Sequence, residues 1–532
     1  MANAIPSVTS HTFSQVPQAM ISRSSFDRSH GYKTTLDASY LVPIYVDEAL
    51  PGDTFSLNMT GFARMATPIK PIMDNLYMET FFFAVPNRLL WDSWEFFMGN
   101  QASINPPGND VTIPTIDLDP GDGIEGSLID YMGLPINSDA LVQFSALPLR
   151  AYNLIYNEWF RDENLCPFAN IHTGDTDPSE THYQYQLKKR GKRHDYFTSC
   201  LPWPQKGEEV TIPTLDSAPV NRTGTSTVTD SPKFYVGGAG SAPLELDTTN
   251  DNNVKLAFVG SQTDGTMTWG TQTGLEADLS LATSTSINEL RTAFQLQKML
   301  ERDARGGTRY TEVIAAHFGV TSPDARLQRP EFLGGGRTRI NINPVQQTSE
   351  TTTSPQGNLA AYGTASLMNH GFTKSFTEHC TLIGLVNVRA DLTYQEGLDR
   401  MWLRRGRYDF FWPAFQHVGE QPVWKDEIYA SADNDTAPVF GYQEQYAEYR
   451  YKPSKITGKF RSNYSQSLDI WHLSQDFSGT PNLNQNFIEE NVPMDRVIAI
   501  PTEPHFLLDC YFKLRTARPM PLYGVPGNID RF

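Results

Sequence analysis

Cysteine is scarce: Cys166, Cys200, Cys380 and Cys510 are the four in 532 residues, widely spaced and with no Cys-x-x-Cys. That excludes a disulfide framework and a zinc ribbon, and points to folding in a reducing cytoplasm. No window approaches about 18 consecutive apolar residues, which excludes a transmembrane helix. The N-terminal stretch MANAIPSVTSHTFSQVPQ lacks the basic segment and apolar run of a secretory signal. Charge is thin at 19%, and acids exceed bases 60 to 43, leaving −17. Such a chain repels phosphates at long range, so any nucleic-acid contact has to come from a local basic face. What is present is 39% hydrophobic and 12% aromatic residues, which excludes a disordered polymer. At about 150 residues per domain the length suggests three to four domains. The 38 glycines and 36 prolines predict many turns and much irregular chain.

Residues 1–31 are polar and read as an extended arm. Residues 32–65 read as two strands joined by Pro51-Gly52-Asp53. YMETFFFAV (77–85) is a third strand, and Asn87 caps a short helix that stops at Gly99. Residues 100–136 read as loop. A helix near 149–162 carries Ala151, Leu154, Ile155 and Trp159 at helical spacing. A long helix opens at Ser286 with a Ser286–Glu289 capping box, and TEVIAAHF forms a short one ending at Gly319. Strands return at 376–394, 447–460 and 496–519. Strands at both ends with helices and loops between them suit a Greek-key or jelly-roll sandwich, not a βαβ repeat. Residues 207–280 stand apart, with 13 Thr, 6 Ser and 9 Gly, and ten acids against three bases. Phe234, Tyr235, Phe258 and Trp269 argue against disorder there, so the segment reads as an acidic, exposed, β-rich excursion.

Catalytic motifs are missing: no G-x-S-x-G, no Walker A, no H-E-x-x-H. Gly334-Gly335-Gly336 reads as a flexible turn. Asp117, Asp119, Asp122 and Glu125 do not follow EF-hand spacing and read as a solvated turn. His370, His379 and Cys380 read as packing residues, because alternation points the last two apart. Acid pairs abound and discriminate nothing, so a glycan-active enzyme is neither excluded nor favoured. Neither a cofactor nor a metal is expected.

Two features are basic. Lys188, Lys189, Arg190, Lys192 and Arg193 place five charges in six residues, able to hold a polyanion or to pair with acidic neighbours. On the long helix Arg291, Lys298, Arg302 and Arg305 fall within about 60° at 100° per residue. Leu290, Ala293, Phe294, Leu296, Met299 and Leu300 take the broad opposite side, expected to face a core. The cationic ridge suits phosphates, solvent or an acidic partner.

Long strings then match a known family in order. YLVPIYVDEALPGDTF (40–55), ARMATPIKPIMDN (63–75), FFFAVPNRLLWDSW (81–94), KKRGKRHDYFTSCLPWPQKG (188–207), RLQRPEFLGGG (326–336) and YAEYRYKPSKITGKFRS (446–462) closely resemble the major capsid protein of gokushoviruses, small bacteriophages of the Microviridae with circular single-stranded DNA. The likeness covers nearly the whole chain except 207–280. It implies an eight-stranded jelly roll with long insertions, no catalysis, and sixty copies in a T=1 shell making five-, three- and twofold contacts. On this reading 32–206 begins the jelly roll, 207–280 forms a threefold protrusion for host attachment, 281–375 is a helical and loop insertion, and 376–532 completes the strands and a C-terminal arm. Phe234, Tyr235, Phe258 and Trp269 become receptor-facing candidates, and the nine basic residues DNA-facing candidates. Implied partners are the packaged DNA, a bacterial receptor, and the pilot, internal scaffolding and small basic DNA-binding proteins of the same phage. Assembly would take place in the bacterial cytoplasm, the virion being the final location, without membrane insertion. The rival from another class is a carbohydrate-binding adhesin displaying 207–280. Size agrees with a shell: single cores stop growing near 250–300 residues, so long insertions need neighbours to bury them.

Overall fold

Eight strands carry the fold, and the order in which they pair decides what stays open to solvent. A computed structural model describes residues 22–100, 111–118, 124–136, 141–176, 185–208, 210, six short strands between 220 and 277, and 287–523 apart from 433 and 435–437. The chain divides into two compact units, 1–206 with 301–532, and 207–300.

In the larger unit the eight main strands are β1 (His30–Leu36), β2 (Val42–Ala49), β3 (Thr54–Met65), β4 (Leu76–Pro86), β5 (Glu331–Gln346), β6 (Leu359–Ser375), β7 (Cys380–Ala390) and β8 (Phe506–Arg518). One sheet runs β1-β8-β3-β6 and the other β2-β7-β4-β5, all antiparallel. The far ends of β5 and β6 pair with each other, Asn341–Gln346 with Leu359–Thr364, and join the two sheets. This is the jelly roll. A short strand, Ser24–Asp27, pairs with the end of β8.

The alternation of β3 and β8 aims Phe55, Leu57, Met59, Leu508, Phe512 and Leu514 inward to a core shared with Met78, Phe82, Leu382 and Val386. Strand β7 is buried at every position. Its second face, with that of β4, lies under the chain between β4 and β5: helix α1 (Leu147–Ile155) and the π-turn Tyr156–Phe160 pack on Phe83, Val85, Ile383 and Leu385. A third cluster packs Phe197, from the chain between β4 and β5, against Tyr394, Val423, Phe440 and Phe487 from the chain between β7 and β8. Both long insertions, 87–330 and 391–505, thus start from and return to the jelly roll.

Several expectations need correction. Asn87 begins a 3₁₀ turn and caps no helix, and residues 100–136 include a strand, Thr115–Leu118, and a helical turn, Leu128–Tyr131. Residues 32–49 form two strands, not one: the chain leaves β1 and passes through Ser39, with φ at 77°, to enter the other sheet. The glycine run is not a turn but part of β5, beside a bulge between Phe332 and Gly334. A Cβ at Gly335 would lie 2.0 Å from the Thr80 carbonyl oxygen, and one at Gly336 2.3 Å from the His370 ring, so only glycine allows these strands to approach. Strands β5 and β6 themselves escaped the sequence reading. Residues 447–460 hold two 3₁₀ turns and no ladder, only a single bridge from Lys455 to Tyr394. His370 is a packing residue as read, buried between Thr80 Oγ1 at 2.8 Å and Thr338 Oγ1 at 3.1 Å.

In the smaller unit, Phe234–Val236 pairs with Met267–Trp269 and with Pro243–Asp247, which pairs in turn with Lys255–Ala257. Val220–Arg222 pairs separately with Leu275–Ala277. The described residues of the excursion between 220 and 277 are all in strands. Helix α2 (Ile287–Gly306) begins immediately after Ser286, which lies outside the described residues. Helix α3 (Tyr310–Phe318) ends on Gly319 in the left-handed region.

Candidate assembly and nucleic-acid surfaces

The basic run is a strap held by its own backbone. Lys188 N–H donates to the Tyr152 hydroxyl, Leu41 N–H to the Lys188 carbonyl, Lys192 N–H to Ile488, and Glu490 N–H to Arg190. Its side chains turn inward. Glu79, from the middle of the aromatic strand β4, is met by four guanidiniums: Arg190, Arg193 at 3.2 Å, Arg337 at 3.4 Å and Arg389 at 3.8 Å. Arg193 also reaches Asp391 at 3.1 Å, and Arg389 lies 3.2 Å from Glu490. Burial works against ionising Glu79, yet Arg190 and its neighbours hold the carboxyl below the ordinary range. Burial lifts Glu490 to about 7 against the pull of Arg389, and lowers Arg389 to about 10. Lys192 is buried, donates to Gln475 and the Phe487 carbonyl, and burial lowers it to about 8. Lys189 sits over the Tyr40 ring at 5.1 Å. Burial also lowers Lys188. Arg190, Lys192 and Arg193 are thereby committed inside the subunit, as clasps between the jelly roll and its insertions.

Helix α2 separates its cations. Arg291, Lys298 and Arg302 are exposed. Arg305 instead donates to Glu420 at 2.7 Å and to Gln443 at 3.0 Å, and leaves the ridge. The apolar side is divided: Leu290, Ala293 and Leu300 are half-buried, whereas Phe294, Leu296 and Met299 are exposed by 63%, 44% and 51%. The insertion 391–505 carries a second bare region, with Trp402, Tyr408, Phe410 and Phe411 all exposed. Large apolar side chains left this open are candidates for cover by another protein surface. The sequence reading had not singled this region out, although WLRRGRYDFFWPAF (402–415) is dense in rings.

In the excursion, register places Phe234 opposite Trp269 and Tyr235 opposite Thr268. Phe258 lies outside the described residues, as do Asp119 and Asp122. Asp117 accepts a hydrogen bond from the Gln143 side chain across the paired strands Thr115–Leu118 and Val142–Ser145. No His/Cys/Asp/Glu group suited to a metal occurs among the described residues. No helix among them is long and apolar enough to cross a membrane.

Among the described residues the arrangement is a jelly roll with clasped insertions and bare apolar side chains. Comparison with known proteins agrees. A family profile described as capsid protein (F protein) matches residues 14–528. Capsid protein VP1 of Chlamydia phage 1 is 46% identical, over 98% of each chain. Capsid protein VP1 of Bdellovibrio phage phiMH2K is also 46% identical over 98% of each, and that of Spiroplasma virus 4 is 34% identical over 97% of each. The resemblance drawn from the sequence strings therefore holds, and it makes the chain a structural component of a virion, not an enzyme. A jelly roll whose insertions wait for neighbours, matched from end to end by viral shell subunits, belongs to the F-protein family of phage capsid proteins.

Proposed function

We propose that sixty copies of this chain close a T=1 icosahedral shell around a circular single-stranded DNA genome, and that residues 207–280 form protrusions at the threefold axes that attach to the host. The match over residues 14–528 to a capsid family carries this reading. The bare faces at Trp402–Phe411 and on α2 support it, since neighbouring copies would cover them. The separate compactness of 207–300 supports a projecting role for the excursion. Phe234, Tyr235, Phe258 and Trp269 are its receptor-facing candidates. Arg291, Lys298 and Arg302 face the genome on this reading. Lys188 and Lys189 add little, and Arg190, Lys192, Arg193 and Arg305 are occupied by carboxylates or carbonyls. Pilot, scaffolding and small basic proteins of the phage complete the particle. Because each subunit carries −17, basic proteins, polyamines or metal ions neutralise most of the DNA.

Electron microscopy of purified material tests the shell: particles of tens of subunits are expected, and a persistent monomer refutes it. Deleting 215–275 should leave shells that assemble but adsorb poorly to bacteria. Loss of assembly would make the excursion a clamp.

A further inference from the structure

The two sheets of the jelly roll differ on their outward sides. That of β2-β7-β4-β5 lies under α1 and the insertions. Among the described residues nothing covers that of β1-β8-β3-β6, where every second residue of β3 and β8 is open. The exposed residues there are unlike the rest of this acidic chain. On β1, β3, β8 and Ser24–Asp27 they include four bases, Lys33, Arg64, Lys513 and Arg515, against two acids, Asp27 and Asp509. Asp509 is already paired with Lys33 at 2.7 Å. Arg64, Lys513 and Arg515 have no ion pair at contact distance among the described residues.

Register orders the remainder. Arg64 is opposite Leu507, Phe62 opposite Asp509, Thr60 opposite Tyr511, Asn58 opposite Lys513 and Ser56 opposite Arg515. Five successive rungs, about 6.8 Å apart, thus present in turn a cation, a ring, a ring, a cation and a cation. Phe62 is 44% and Tyr511 52% exposed, and the Arg64 guanidinium lies 5.5 Å from the Phe62 ring centre. Between them stand small hydrogen-bonding groups: Ser56, Asn58 and Thr60.

We propose that this open sheet face binds single-stranded DNA, with bases stacked on Phe62 and Tyr511 and phosphates held by Arg64, Lys513 and Arg515. The inference rests on the reading of the chain as a genome-enclosing shell and adds a second surface, beside the α2 cations, that meets the genome. Charge complementarity selects a polyanion over a protein partner. The rings select a single strand over a duplex, because only unpaired bases expose their faces. Antiparallel sheets bearing such rings are sequence-tolerant platforms, since every base can stack. A circular genome of any sequence can then be laid against identical subunits.

The test uses the full-length chain and a fluorescein-labelled oligothymidylate, read by anisotropy across a salt series, with particle formation followed by microscopy. Lys513→Gln/Arg515→Gln should lower the slope of log K against log salt by about 1.4, as two single-strand phosphate contacts are lost. Phe62→Ala/Tyr511→Ala should weaken binding about tenfold or more and leave the slope in place. Phe62→Thr/Tyr511→Thr, which keeps β-forming residues, provides the same reading if the alanine pair fails to fold. Folded variants with unchanged affinity and slope overturn the inference. So does an unassembled wild-type chain, competent to make particles, that does not bind the probe. Variants that bind the probe normally but no longer form particles also overturn it, by making the face a protein contact. A wild-type chain that forms no particles refutes the proposed shell instead, a separate result.

Discussion

Replacing Glu79 with glutamine keeps the size of the side chain and removes one charge from the point where four guanidiniums converge. Arg337 is 46% exposed and adds little. Arg389 and Arg190, at 4% and 22%, cannot regain water where they stand. Removing one partner of a buried pair costs about 3–5 kcal/mol, and the amide still accepts hydrogen bonds, so about 3 kcal/mol is expected. The unit containing it spans 1–206 and 301–532. At about 2.1 cal/mol/K per residue, that corresponds to a melting temperature roughly 3 °C lower, readable by scanning fluorimetry. Arg337→Gln, at the exposed edge, should shift it by less than about 1 °C. The carboxyl is held below its ordinary range. Its contribution is therefore complete above about pH 4.3 and is lost as pH falls through the lower folded value. The gap between wild type and Glu79→Gln should be full at neutral pH and close in acid. A Glu79→Gln shift no larger than that of Arg337→Gln, or a gap that does not depend on pH, would refute the clasp.

Glu490, lifted to about 7, keeps a proton when folded that it releases above about pH 4.3 when unfolded; wild type should lose stability relative to Glu490→Gln as pH rises from about 5 through 7, and parallel pH curves would contradict this. Gly335→Ala should cost about 3 kcal/mol in melting experiments through its clash with Thr80, whereas Gly479→Ala, with open space around it, should cost almost nothing. Arg305→Gln should destabilise the chain by about 2 kcal/mol and exposed Arg302→Gln by less than about 0.5; equal effects would restore Arg305 to the ridge. All four thiols are buried, and burial raises the pKa of each, Cys166, Cys380 and Cys510 to about 12; a maleimide should label them only after denaturation.

The strands legible in the sequence were those with a strong contrast between faces. Strand β8 alternates buried Phe506, Leu508, Cys510 and Phe512 with exposed neighbours, and it was found. Strand β6 alternates too, but its inward residues include Ala361, Gly363 and Ala365, small because the sheets meet there, and it was missed. Residues 447–460 show rings and cations in alternation, yet a strand also needs a partner at the right distance, which local pattern does not reveal. The basic run was conspicuous, while its destination was not. The available signal was Glu79, a lone acid in the ring-rich string YMETFFFAV, where an unpaired charge would be costly. The apolar side of α2 was read as core-facing because periodicity states only that a face seeks cover, not whether the cover comes from the same molecule.

The pairing of Val220–Arg222 with Leu275–Ala277 brings the two ends of a long excursion side by side. A chain gathered at its base in this way can change length above it cheaply, since doubling a loop adds only about 0.6 kcal/mol to closing it. The base is thus a natural graft point, where foreign sequence could replace what lies between without altering the jelly-roll strands.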